Sequence, residues 1–291
     1  MRHKPVLTEE LLSFLDPKPN GLYIDATFGC GGHTRAILEK EPTCTVFAID
    51  WDKKAIENYA LPLTKEFGDR LKVAWGNFAD LFKILKKHKI SRVDGIIADF
   101  GTSQNQIHEK DGFSFRNDTP LDMRMSNSHN YLTAEKVLEK YPEEKLTKIF
   151  SEFGGERKSK TVAKAIVEIR KRKKITTTRQ LAKLIEGIYS GTPTGSIHPA
   201  TKVFQALRIY INKELKNIEL FLPTAIGYLK NEAPLICISF HSLEDRIVKD
   251  FFRNNVNKLK IITKKPAIAS KDELISNPSS RSAKLRMALK I

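Results

Sequence analysis

Leu22-Tyr23-Ile24-Asp25-Ala26-Thr27-Phe28-Gly29-Cys30-Gly31-Gly32-His33 decides the fold. Leu22 to Ile24 is a short apolar run with good strand formers, and from Thr34 to Leu38 apolar residues recur at helical spacing, so the stretch reads as strand, loop, helix. Glycines at that junction let a backbone approach a ligand without obstruction from Cβ, and the helix start beyond them offers free N–H groups to a carboxylate or phosphate. A nucleotide-type pocket follows. The dinucleotide fingerprint wants a further glycine where this chain has Thr34, which weakens the NAD reading. Asp50 ends the next apolar run, Thr45 to Ile49, at the distance where an acid commonly holds ribose hydroxyls. Adenosine with a free ribose diol fits.

Working outward, Thr8 to Leu15 suggests a short helix ended by the turn residues Asp16 to Gly21. Ala55, Ile56, Tyr59 and Leu63 mark a helix after Asp50, and Leu71 to Gly76 reads as a third strand with Phe78 just past its end. A helical pattern from Leu81 to His88 leads to a fourth strand, Val93 to Asp99, followed by Gly101. Strands alternating with helices at this spacing imply an α/β, doubly wound parallel sheet whose ligands gather at the carboxyl ends of the strands. Asp25, Asp50, Phe78 and Asp99 all fall there.

From residue 108 to 205 the alternation stops and only helical periodicity remains, which predicts an inserted helical domain between two parts of the sheet domain, 1–107 and 206–291. Within it, Arg157 to Lys174 carries nine basic residues in eighteen positions beside an apolar stripe, so one face packs and the rest is cationic. Lys171, Arg172, Lys173 and Lys174 form its densest run, suited to a phosphate backbone. The strand pattern resumes with Phe204 to Ile209, then a helix towards Leu222 and an apolar run, Leu235 to Phe240, fit for a buried parallel strand. His241 would stand at the end of that run, with Ser242 and Asp245 capping the next helix. Leu259 to Thr263 and Lys284 to Ile291 are plausible closing strands.

A formal net charge of +16 over 291 residues favours a polyanionic partner, nucleic acid first. Cys30, Cys44 and Cys237 lie far apart and form no CxxC pair, which argues for a reducing compartment and against zinc or a disulfide framework; no metal site is expected. No apolar signal core or spanning run is present, so the expected location is the cytoplasm.

Asp25, Gly29-x-Gly31 and Asp50 resemble the first two motifs of class I methyltransferases, which bind S-adenosylmethionine. Further stretches resemble one family of that class, the bacterial RsmH (MraW) methyltransferases, which methylate N4 of a decoding-centre cytidine in 16S rRNA of the small ribosomal subunit. They are His3-x-Pro5-Val6-Leu7, Gly112 to Phe115, Pro120 to Met125, His198 to Thr201, Phe204 to Arg208, Ile238 to Val248, Asn277-Pro278 and Arg281 to Arg286, spread over nearly the whole chain. The resemblance implies a class I (Rossmann-like) sheet with an inserted helical substrate-recognition domain. It implies that Gly31, Gly32 and His33 contact the cofactor from the loop, that Asp50 takes the ribose diol, and that Phe78, Asp99 and Gln106 complete the pocket. Two departures stand out: Phe100-Gly101-Thr102-Ser103-Gln104 replaces the family's Leu-Gly-Val-Ser-Ser, and Phe153-Gly154-Gly155-Glu156 replaces its Tyr-Gly-Glu-Glu.

Methyl transfer from a sulfonium is an in-line displacement in which positioning dominates. A cytosine amine is a poor nucleophile, and an acceptor for its N–H groups helps localise its lone pair. Asp99, or a carbonyl of the Asp99 to Gly101 turn, is the candidate acceptor. His241 either accepts a proton or contacts the base, or else is a structural hydrogen-bond former. Asp122, Arg124 and Asn212 are further candidates for holding the nucleotide, which must leave its stack to react.

Overall fold

The computed structural model describes residues 4–101, 110–127, 130–190 and 198–291. In chain order, α1 (Thr8–Leu15), β1 (Leu22–Asp25), α2 (Gly32–Lys40) and β2 (Thr45–Asp50) come first. Then follow α3 (Lys53–Ala55), a π turn (Ile56–Ala60), α4 (Leu61–Phe67), β3 (Leu71–Trp75), α5 (Leu81–Lys87) and β4 (Gly95–Asp99). Five helices come next: α6 (Ala134–Lys140), α7 (Glu143–Gly154), α8 (Ser159–Arg170), α9 (Thr178–Tyr189) and α10 (Thr201–Asn212). The chain closes with α11 (Glu214–Tyr228), β5 (Pro234–Ser239), α12 (Ser242–Asn254), β6 (Leu259–Ile261), α13 (Lys271–Ser276) and β7 (Lys284–Lys290).

Two compact units result, a sheet unit of Met1–Ser103 with Leu215–Ile291 and a helical unit of Gln104–Glu214. The sheet runs in the order β3-β2-β1-β4-β5-β7-β6. The first five strands pair in parallel, and β7 lies antiparallel to both β5 and β6. Side chains alternate across a strand, and here both faces are covered, which is why the strands read as unbroken apolar runs. Ile96, Ala98, Leu235 and Cys237 pack on one side with Ile218, Phe221 and Leu222 of α11. Ile97, Ile236 and Ile238 pack on the other with Leu11 and Leu15 of α1 and Ile37 and Leu38 of α2. All six residues of β5 are buried. Register carries the acidic strand ends to one edge: Asp25 lies opposite Ile97, Asp50 opposite Trp75, and Asp99 opposite Ile238.

The helical unit has its own core, centred on Leu138, Phe150, Val162, Ile166, Leu181, Ile185, Val203 and Leu207. Two sequence expectations need correction. Phe204 to Ile209 is not a strand but the middle of α10, because the apolar positions Val203, Leu207 and Ile211 recur at helical spacing once the window is widened. The helical unit accordingly runs to Glu214, beyond the expected 205. Secondly, Ser242 does not cap α12: the N-cap is His241, still in extended backbone, and Ser242 is already helical.

Candidate active site at the carboxyl edge of the sheet

The turn after β1 is built by hydrogen bonds from its own side chains. Asp25 is buried; its Oδ2 accepts the Thr34 hydroxyl at 2.6 Å and its Oδ1 accepts the Thr27 N–H at 3.1 Å. Thr34 therefore ties the first turn of α2 back to the end of β1, a physical reason for threonine where dinucleotide folds want glycine. Burial raises the Asp25 pKa, and the hydrogen bond from Thr34 works against that rise. Thr27 also accepts the Asp99 N–H at 2.6 Å, linking the ends of β1 and β4. Gly29 and Gly31 have φ of +54° and +76°, the left-handed region that L side chains rarely adopt. A Cβ on Gly31 would meet Leu63 at 2.7 Å and one on Gly32 would meet Pro5 at 2.8 Å, so both positions exclude larger residues. Gly31 is the N-cap of α2 and has no side chain to cap it; Asp25 takes the Thr34 N–H, and the Gly32 and His33 N–H groups are the ones that can meet a ligand.

Asp50 is 8% exposed and each oxygen already accepts one backbone N–H, from Gly29 at 2.6 Å and from Asp52 at 2.8 Å. A carboxylate has about four lone-pair sites, so two remain for a diol. Desolvation pushes the Asp50 pKa up to about 6 against those two hydrogen bonds. Asp99 shows the same displacement, to about 6, again through desolvation, with His33 and the Gly101 N–H opposing. The Asp99 side chain is 24% exposed, but its Oδ1 is enclosed and, among the described residues, has no hydrogen-bond partner. An enclosed acceptor left unmet is unfavourable in a folded chain unless something else supplies the donor.

His33 is buried and faces this carboxylate. Its Nε2 lies 2.8 Å from the Val6 carbonyl, which can only accept, so Nε2 carries the proton. The other nitrogen, Nδ1, is 4.0 Å from Asp99 Oδ2, within ion-pair range but too far for a hydrogen bond. Phe78 lies partly buried among aromatic rings, with centroids 5.6 Å from Phe100 and 5.5 Å from Phe221. Gln106 lies outside the described residues.

His241 follows β5, the strand beside β4, and its ring is engaged locally. Nδ1 accepts the Glu244 N–H at 3.4 Å, while Glu244 Oε2 accepts the N–H groups of Phe240 and His241 at 2.8 and 3.3 Å, a reciprocal capping box. With Nδ1 occupied, the neutral ring carries its proton on Nε2 and can donate but not accept. This engagement supports the structural alternative for His241, with Nε2 the ring atom that would meet a base. Nε2 lies 3.2 Å from Glu244 Oε1, within ion-pair range, yet among the described residues neither atom makes a hydrogen bond. Asp245, expected as a cap, instead pairs with Arg286 at 2.6 and 3.1 Å.

The remaining candidates lie in the helical unit. Asp122 and Arg124 form a two-pronged ion pair at 2.7 Å. Burial disfavours the Asp122 carboxylate, but the Arg124 hydrogen bonds prevail and hold its pKa below the ordinary value. The Asn212 amide accepts the Met125 N–H and donates to the Met123 and Arg208 carbonyls, fixing the turn in which Met123 has a φ of +63°. All four residues of the basic run are exposed; Lys171 pairs with Glu168 at 2.8 Å and Lys174 with Glu139 at 2.5 Å. Sequence reading missed Thr27, Thr34 and Glu244. A hydroxyl residue on each side of the glycine loop was the available signal for the first two; nothing local marks a buried glutamate as a cap.

This sheet order, with one antiparallel strand near the edge and acids and glycines at the ends of β1, β2 and β4, defines a class I methyltransferase, and its methyl donor is S-adenosylmethionine. The residues present suit that donor: a helix start with N–H groups to offer, glycines at 31 and 32 where a Cβ would clash, and an acid, Asp50, with lone pairs to spare for a diol. The model of the MraW methylase family matches residues 1–291, and the chain belongs to that family. The Ribosomal RNA small subunit methyltransferase H of Neorickettsia sennetsu is 46% identical over 291 residues, covering 99% of this chain and 96% of that protein. The protein of the same name from Sulfurihydrogenibium azorense is 44% identical, with all of both chains covered. That from Wolbachia is 42% identical, covering 98% of each. Among the described residues no helix is long and apolar enough to cross a membrane.

Proposed function

We propose that the chain transfers a methyl group from S-adenosylmethionine to N4 of a decoding-centre cytidine in 16S rRNA, acting in the cytoplasm on RNA within the small ribosomal subunit. The observation that carries this reading is the Asp99 carboxylate at the end of β4, beside the glycine turn, whose Oδ1 has no hydrogen-bond donor among the described residues. An exocyclic amine supplies such a donor, whereas a ring carbon does not. The related proteins carry the name of small-subunit rRNA methyltransferases, and the net charge of +16 suits an RNA partner.

The cofactor supplies an electrophilic methyl carbon whose bond to sulfur breaks as the bond to nitrogen forms, the electron pair passing to sulfur. The chain's residues bind and orient. Gly31, Gly32 and the first N–H groups of α2 receive the carboxylate of the methionine part, Asp50 accepts the ribose hydroxyls, and Phe78 contributes an apolar wall. Asp99 accepts one amine N–H, which frees the nitrogen lone pair from the ring, and then receives the proton that the product amine must lose. His33, its Nδ1 unprotonated while neutral, is placed to share that proton. His241 holds the end of β5 through its capping box, and Asp122, Arg124 and Asn212 shape the recognition loop of the helical unit. The decisive measurement is nucleoside mass mapping after labelled methyl transfer to small subunits isolated from cells lacking the protein. Label in N4-methylcytidine is expected; label on carbon or ribose, or none, refutes the assignment.

A further inference from the structure

The helical unit holds a groove that methyl transfer leaves unused. Phe115 and His198 stack with ring centroids 4.4 Å apart and 28° between their planes, and Phe204 meets Phe115 edge-on at 5.1 Å. Both imidazole nitrogens of His198 are engaged. Nδ1 accepts the Ala200 N–H at 3.2 Å, so the proton sits on Nε2, which donates to Glu186 at 2.8 Å. The ring is thereby fixed in place, while 34% of its side chain still reaches solvent. These rings line a groove of about 700 Å³ together with Arg116, Arg179 and Lys183. All three cations are exposed.

Two acids stand nearby: Glu186 accepts from His198, and Asp118 accepts the Arg179 N–H and the Thr177 hydroxyl and offsets part of the Arg179 and Lys183 charge, leaving Arg116 and the remainder of those two for phosphates. A fixed ring pair flanked by cations matches one nucleotide of a single strand, in which the base has a free face to stack and phosphates lie on either side. A duplex offers no such base face. An acidic peptide would use the cations and leave the rings idle. We propose that this groove holds one unstacked nucleotide of a single-stranded RNA segment, its base against the His198 and Phe115 rings and its flanking phosphates on Arg116, Arg179 and Lys183. The proposal rests on the RNA reading above and adds to it a grip on the strand carried by the helical unit alone.

The test uses the full chain and a single-stranded oligoribonucleotide, with affinity measured against salt. The variant Arg179→Gln with Lys183→Gln changes two exposed side chains, so it is expected to fold, to bind S-adenosylmethionine as the parent does, and to lower the salt slope by about 1 to 2. An abasic residue moved along the oligonucleotide is expected to weaken binding about five- to a hundredfold at one position, the span of base stacking on aromatic rings. Phe115→Leu keeps the packing on Phe204 and is expected to abolish that sensitivity. An unchanged slope in the double variant, or undiminished abasic sensitivity in Phe115→Leu, overturns the groove. If the parent chain meanwhile methylates small subunits, the groove alone has failed; if the parent neither binds nor methylates RNA, the RNA reading fails and the groove with it.

Discussion

At the scale of single residues, the two displaced carboxylates set the pH behaviour. The ribose diol is held by an ionised Asp50, whose pKa in the folded chain is about 6. Cofactor affinity should therefore be flat above that value and fall towards tenfold per unit below it, with proton release on binding near pH 6. Calorimetry in buffers of different ionisation heat reads both, and a pH-independent dissociation constant would remove Asp50 from the site. Asp50→Ala should weaken binding by the loss of two charge-assisted hydrogen bonds, each about 1.5–3 kcal/mol before water compensates. Asp99 gives a prediction of opposite sign for stability. Its folded pKa of about 6 lies above the ordinary 3.8, so its contribution to folding is fully present below about pH 3.8 and lost as pH rises through 6. Asp99→Asn stays neutral, and without cofactor it should gain on the parent with rising pH, by up to about 3 kcal/mol. The same variant should transfer methyl ~10²–10⁴-fold more slowly, the range for positioned acid–base groups. Equal melting temperatures at pH 5 and 8, or unimpaired transfer, would contradict the buried acceptor.

At the scale of elements, the capping box of α12 gives the sharpest test. His241→Ala should lose about 1 kcal/mol of stability, whereas His241→Asn, a good N-cap, should recover most of it. Thermal unfolding beside single-turnover transfer separates the roles: if His241→Asn is stable but slow, the Nε2 proton matters to the base; if stable and fast, His241 is a cap only. The element scale also shows what the sequence could and could not reveal. The carboxyl edge was legible because β1, β2 and β4 each announce themselves as apolar runs ending in acid, at Asp25, Asp50 and Asp99. Phe204 to Ile209 misled because β-branched and aromatic residues in a six-residue window suit a strand, and only the contacts of Val203 and Ile211 with the helical core fix the longer period. The cap of α12 misled for another reason. Ser242 is the better intrinsic cap, but His241, two residues past the end of β5, is still extended and Ser242 already helical, which places the imidazole where the hydroxyl was expected. Where a strand stops by a single residue is set by its neighbours, and sequence alone has no handle on that.

At the scale of the whole molecule, the net charge of +16 makes salt the variable that most separates specific grip from general attraction. The run Lys171 to Lys174 is exposed, but it is not four equivalent cations: Lys171 and Lys174 spend part of their charge on Glu168 and Glu139, and among the described residues Arg172 and Lys173 have no ion pair. Counterion release scales with phosphates neutralised, at roughly 0.7 to 0.9 in slope for each. Neutralising Arg172 and Lys173 together should therefore lower the slope of RNA binding by about 1.5 and leave cofactor affinity alone. Adding Lys171 and Lys174 should lower it by less than as much again, since each already faces a carboxylate that the phosphate must displace. Titration of small subunits at several salt concentrations checks this order. Equal decrements from the two pairs would mean that the ion pairs dissolve on binding, and no decrement from either would make the run a solvated face, leaving the attraction to RNA with the other cations of the chain.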